Sequence, residues 1–198
     1  MPRADAQRNL DALLNAAKEE FAANGVDAPV RAIAARAGVG TATLYRHFPL
    51  RSDLIAAVFR REIDDVTASA SRLAETHAPA EALELWAQRY TAFVATKHGL
   101  GAALHSGDPA YSGLREYFES NAGPALQRLL DDAAAAGEIR PDVDAIELIG
   151  AIANLSAPPP GARSSERAGR MVALLLDGLR YGATASPGAL AESTPAAS

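Results

Sequence analysis

The sequence predicts an all-α protein of about nine helices, with a three-helix helix-turn-helix unit leading into a larger helical domain. Three observations carry that reading. Apolar residues recur at i+3 and i+4 in segment after segment, glycine and proline separate the segments, and a 48% apolar composition over 198 residues is enough for a sizeable core. The expected division is a helix-turn-helix domain over 1–50, a helical domain over 51–183 and a disordered tail over 184–198, where Ala, Ser, Pro, Gly and Thr follow no period.

Composition narrows the function classes. The absence of cysteine excludes disulfides, thiolate catalysis and thiolate metal sites, and fits a reducing, cytoplasmic setting. No window is apolar for long enough to span a membrane, and no export signal is indicated. The net charge of -5 is unevenly spread. Residues 1–61 hold nine Lys or Arg against six Asp or Glu, a net of +3, whereas the remainder holds ten against eighteen, a net of -8. A basic module of this kind can meet phosphates, while the acidic remainder discourages non-specific wrapping of a polyanion.

The first helix is expected over residues 6–24, with Leu10, Leu13, Leu14, Ala17 and Phe21 on one face and Asn24-Gly25 as its stop. Ahead of it, residues 1–5 read as a loose arm, with Arg3 and Arg8 either reaching phosphates or solvated. A second helix spans about 29–37, and Val30 and Arg31 near its start are placed to touch a DNA backbone, with an ordinary surface charge as the alternative for Arg31. Gly38 then sits where the chain must turn with positive φ, which a residue without Cβ does at little steric cost. Ile33, Ala37, Val39, Leu44 and Phe48 lock this helix to a third that starts near Gly40 and stops at Pro49. The outward set of the third helix is Thr41, Ala42, Thr43, Tyr45, Arg46 and His47. Short hydroxyls, a methyl, an aromatic and two nitrogen donors suit a helix lying in a DNA major groove.

The stretch GVGTATLYRHF, Gly38 to Phe48, placed after VRAIAARA, resembles the DNA-binding domain of the tetracycline-repressor (TetR) family over about the first 60 residues. Beyond them the likeness is an all-helical plan. It departs from the family pattern at Ala28-Pro29 and Gly40, where Ser or Thr often starts the second and third helices, and at Leu50, where a polar cap is usual. Ser52 is then the expected cap of the fourth helix. The resemblance implies that Arg51, at a position where the family commonly has lysine, contacts a phosphate.

The fourth helix, from about Arg51 to His77, carries Leu54, Ile55, Val58, Phe59, Ile63 and Val66 and is long enough to act as a lever. Phe59 and Ile63 are candidates for sensing a ligand, or plain core. The fifth, from Pro79 to about Thr96, carries Leu83, Trp86, Ala87, Tyr90, Phe93 and Val94; Trp86 and Tyr90 suit either a pocket lining or simple core. A short helix or turn is expected over 98–106, where Leu104 and His105 are further ligand candidates. From Pro109 to about Ala136 a long helix should be kinked or divided at Gly123-Pro124, leaving Tyr117, Phe118 and Asn121 beside the bend. Because the lining is mostly aromatic and aliphatic, the implied effector is a small hydrophobic or aromatic molecule.

The last two helices, about 146–155 and 164–181, have more apolar surface than one partner covers. Ile149, Ile152, Ala153, Met171, Leu174, Leu175, Gly178 and Gly182 are the expected dimer face, with two copies of the hairpin forming a four-helix interface, the alternative being an intramolecular core in a monomer. His77, His98 and His105 lack metal-ligand spacing, Asp131 and Asp132 point apart on their helix, and no nucleophile accompanies a base. No cofactor, no metal and no enzyme activity are expected. The resemblance implies a homodimeric regulator, most simply a repressor, that binds a palindromic double-stranded DNA operator and is released by its effector. The alternative is an effector-independent DNA-binding regulator controlled by a protein partner.

Overall fold

The computed structural model describes residues 2–96, 109–156 and 165–181. These residues form eight α-helices and one 3-10 turn, with no strand among them: α1 Pro2–Asn24, α2 Val30–Arg36, α3 Thr41–His47, α4 Arg51–Thr76, α5 Pro79–Thr96, the turn Pro109–Tyr111, α6 Leu114–Ala135, α7 Ala145–Ser156 and α8 Ser165–Arg180. The all-α expectation holds. Leu104, His105, the short helix expected around them, Gly182 and the tail lie outside the described residues.

The described residues fall into two compact units, one drawn from 1–66 with 92–122 and one from 67–91 with 123–198. In the first, α1 packs on α2 and α2 on α3 around buried Leu13, Ala17, Phe21, Ile33, Ala34 and Leu44. Helix α1 begins at Pro2, ahead of the expected start, because proline suits a first helical turn and Asp5 favours the positive end of the helix dipole. Two ion pairs join α1 to α4: Lys18 to Glu62 at 2.7 Å and Arg61 to Asp11 at 3.2 Å. Pairs this exposed contribute about 0–1 kcal/mol each, so they fix orientation more than stability.

The α2–α3 turn closes as the sequence requires. Gly38 takes φ +69°, the Val39 amide donates to the Ala34 carbonyl at 3.0 Å, and the Gly38 amide donates to that of Ala35 at 3.1 Å. This reversed pair satisfies the carbonyls that the end of α2 leaves over. Helix α3 then starts after Gly40, which has no side chain to cap it. At α4 the expected Ser52 cap gives way to another. Because the helix begins at Arg51, Asp53 occupies its third position, and its Oδ2 reaches back to accept from the Leu50 amide at 3.1 Å while Ser52 is buried.

In the second unit α7 packs on α8, with Trp86, Leu126, Leu129, Leu148, Ile152 and Val172 buried. The α6–α7 connection is held at several points. Glu138 accepts from the Ala80 amide at the start of α5 (2.7 Å), the Arg140 amide donates to the Leu179 carbonyl at the end of α8 (2.9 Å), and Gln127 accepts from the Ala145 amide (3.1 Å). Asp144 caps α7, its Oδ1 accepting from the Ile146 and Glu147 amides at 2.9 Å each.

Pro124 does not divide α6, which is one helix from Leu114 to Ala135. A proline removes one backbone hydrogen bond, and burial of Ala122, Ala125, Leu126 and Leu129 on both sides holds the helix together. Gly123 is packed closely too: a Cβ there would lie 2.9 Å from Ile146 Cδ1 of α7.

No atom lies within 4 Å of a Cβ built on Gly38, so the cost of Gly38→Ala is torsional and should be about 1–2 kcal/mol. Gly40→Ser, at an extended position with the same open space, should instead gain a few tenths of a kcal/mol by supplying the missing cap. Urea melts followed by circular dichroism separate the two.

Candidate nucleic-acid interface

Helix α3 is seven residues long and turns one side chain fully inward, Leu44, which is 2% exposed. Around it Thr41, Ala42, Tyr45, Arg46 and His47 are exposed and Thr43 is half-buried, so the expected outward set lies outward. Tyr45, at 54% exposure, is a large aromatic that no hydrophobic core claims. Arg46 donates from Nη2 to Thr43 Oγ1 at 2.9 Å, which restricts a long side chain on the exposed face. In α2, Arg31 is exposed and Val30 half-buried, and among the described residues Arg31 makes no ion pair. Arg51, by contrast, is half-buried and turned inward: its guanidinium donates to the carbonyls of Val26 and Ala28 in the α1–α2 connection, with Nε 2.7 Å from Val26 O.

A network not anticipated from the sequence holds α2 against α1. Glu20 is buried and accepts from Arg36 Nε at 2.7 Å and Asn24 Nδ2 at 2.9 Å, while Arg36 also donates to Glu19 at 3.0 Å. The Arg36 hydrogen bond, and then the Asn24 one, hold the Glu20 carboxyl below its ordinary range. The signal was legible: Glu20 falls on the same face as Leu13, Ala17 and Phe21, where a carboxylate needs partners.

The ligand candidates fall into two groups. In the first unit Phe59, Ile63, Phe93 and Phe118 are buried, and the Phe93 ring lies 5.3 Å from Phe59 and 6.1 Å from Phe118. A small, solvent-open cleft lined by Lys18, Phe21, Ala22, Val58, Phe59, Glu62 and Phe93 adjoins this cluster. Tyr117 faces the surface and donates to Asp64 at 2.6 Å, a bond that raises its pKa, and Asn121 donates to the Tyr117 carbonyl at 2.6 Å. In the second unit Trp86 and Tyr90 are buried, their rings stacked at 5.4 Å, and burial pushes the Tyr90 hydroxyl pKa up.

At the hairpin of α7 and α8, Ile149 and Ile152 are buried within the chain. Of the other residues expected on the dimer face, Ala153, Met171 and Leu175 are half-buried, and Leu174 and Gly178 are exposed. Among the described residues no cluster of His, Asp or Glu is arranged to hold a metal, and no helix is long and apolar enough to cross a membrane.

Short helices crossing at a glycine turn, with hydroxyl, aromatic and cationic side chains outward, define a helix-turn-helix DNA-binding protein that carries a larger helical domain. Residues 13–58 match the bacterial regulatory proteins of the tetR family, and residues 78–181 match the SbtR-like C-terminal domain of transcriptional regulators. The chain belongs to the TetR family of transcriptional regulators. A TetR regulator of Streptomyces coelicolor is 39% identical over 86% of this chain and 97% of that one, with a TM-score of 0.73. Another, from Mycobacterium vanbaalenii, is 33% identical over 91% and 99%, with a TM-score of 0.70. FadR of Bacillus subtilis, 20% identical over 87% and 98% with a TM-score of 0.63, shares the fold alone. No curated protein sequence matches the chain.

With its folded pKa below its unfolded one, Glu20 adds stability that is fully present above its ordinary pKa of about 4.5 and is lost as pH falls through the folded value. Glu20→Gln should lower the melting temperature at neutral pH and flatten its fall in acid. Melting curves across that range check both.

Proposed function

We propose that this chain is a homodimeric repressor whose two α3 helices enter successive major grooves of a palindromic operator, and that a small hydrophobic or aromatic effector releases it. The observation that carries the proposal is the outward face of α3: Thr41, Ala42, Tyr45, Arg46 and His47 are exposed while Leu44 anchors the helix from beneath. In this reading residues 1–50 bind DNA and 51–183 hold the effector and the partner. Thr43 and Arg46 act on base edges or phosphates, Tyr45 and His47 on phosphates or thymine methyls, and Val30 and Arg31 on the backbone. The aromatic cluster of Phe59, Phe93 and Phe118, with Trp86 and Tyr90 as a second apolar group, supports an effector with a large apolar or flat surface. FadR of Bacillus subtilis, which shares the fold, was crystallised in complex with stearoyl-CoA. Exposed Leu174 supports pairing through α7 and α8, since 66% exposure of a leucine among half-buried apolar neighbours leaves surface for a second copy.

Gel-shift titrations with the protein's own promoter region, in excess unrelated DNA, test the proposal. Retained binding is expected; loss to the competitor would remove sequence-specific binding. Arg31→Ala should make the salt dependence shallower by about one counterion without altering sequence preference, whereas Arg46→Ala should also relax discrimination, by about 1–3 kcal/mol at the contacted base pair. A thermal-shift screen of hydrophobic and aromatic compounds should find one that raises the melting temperature and weakens operator binding in proportion.

A further inference from the structure

We infer that Arg51 is a positioning residue for DNA binding: its guanidinium fastens the α1–α2 connection to the start of α4 and so sets the pose of α2 beneath the recognition helix, instead of neutralising a phosphate. The inference rests on the DNA-binding reading above.

Its basis is where the side chain goes. Arg51 stands at the first position of α4, yet it turns back to Val26 and Ala28 and spends Nε and Nη2 on their carbonyls. Those carbonyls lie just before Pro29, which precedes α2 and supplies no side-chain cap. A seven-residue helix without a cap has little stability of its own, so tertiary ties decide whether and where it forms. Helix α2 has such a tie at each end. At its last turn Arg36 grips Glu19 and Glu20 of α1, and at its entry Arg51 grips the connection from α4. Since α2 packs on α3, a shift at its entry moves the helix that reads DNA. The fork also matters: two adjacent guanidinium nitrogens reach two carbonyls at once, a geometry that a lysine ammonium does not reproduce.

Operator binding by Arg51→Ala and Arg51→Lys, titrated against salt, separates a strut from a phosphate ligand. As a strut, Arg51→Ala should bind the operator about 10-fold more weakly with a salt slope within about half a counterion of the parent, and Arg51→Lys should restore only part of the loss. As a phosphate ligand, alanine would make the slope shallower by about one counterion and lysine would restore binding in full, and that result would overturn the inference. Hydrogen exchange on the free protein supplies a readout that needs no DNA. The Ala32 and Ile33 amides, which donate to the Pro29 carbonyl at 2.9 and 3.3 Å, should exchange about 10-fold faster in the alanine variant and by a smaller factor in the lysine variant, while α7 and α8 keep their protection. Unchanged protection of α2 would overturn the inference as well. If the parent protein shows no operator preference, the DNA-binding reading fails, and the exchange result still decides whether Arg51 holds α2. Should the alanine variant be too unstable to isolate, the lysine variant, whose charge is intact, decides between strut and phosphate ligand by itself.

Discussion

The direction of α3 depends on one backbone reversal, the φ of +69° at Gly38. An L-residue with a side chain disfavours that conformation, and without it the amides of Gly38 and Val39 would not fold back on the carbonyls of Ala35 and Ala34. The turn swings the chain so that Leu44 faces inward while Thr41, Ala42, Tyr45, Arg46 and His47 face solvent. Everything chemical about the exposed face follows from that rotation, because a helix of seven residues has two turns in which to place its polar groups.

Rigidity under that face comes from charge. Glu20, Asn24 and Arg36 form a buried and half-exposed cluster between α1 and α2, while Lys18, Glu62, Arg61 and Asp11 join α1 to α4. A small three-helix unit has little apolar area to bury, so polar ties of defined geometry settle angles that hydrophobic contact alone leaves soft. Among the described residues, Arg31 and Arg46 meet no carboxylate, so their charge is not consumed there.

Much of this was legible in the letters. Helical periodicity located α2, α3, α5 and α7 to within a residue or two, and the glycine before Val39 announced the turn, because both signals depend on local sterics and on burial of one face. Of the kink or division expected at Pro124, the division is absent: α6 is one helix, a local penalty being outweighed by buried neighbours on either side. The Ser52 cap was displaced by Asp53 for a geometric reason that one residue of uncertainty in a helix start conceals. Arg51 shows the limit most clearly: sequence places a cation at the mouth of α4, and only coordinates show which way it bends. Roles in DNA, effector and partner binding depend on molecules that periodicity does not describe.

The connector between α6 and α7 has a consequence for what the chain tolerates. Loops on protein surfaces ordinarily absorb insertions with little penalty. Here Glu138, Arg140 and Asp144 each meet a different helix, α5, α8 and α7, at hydrogen-bonding distance. Adding or deleting a residue would put all three out of step together, so this short span behaves as a rivet whose length is fixed even where its individual letters are free to drift.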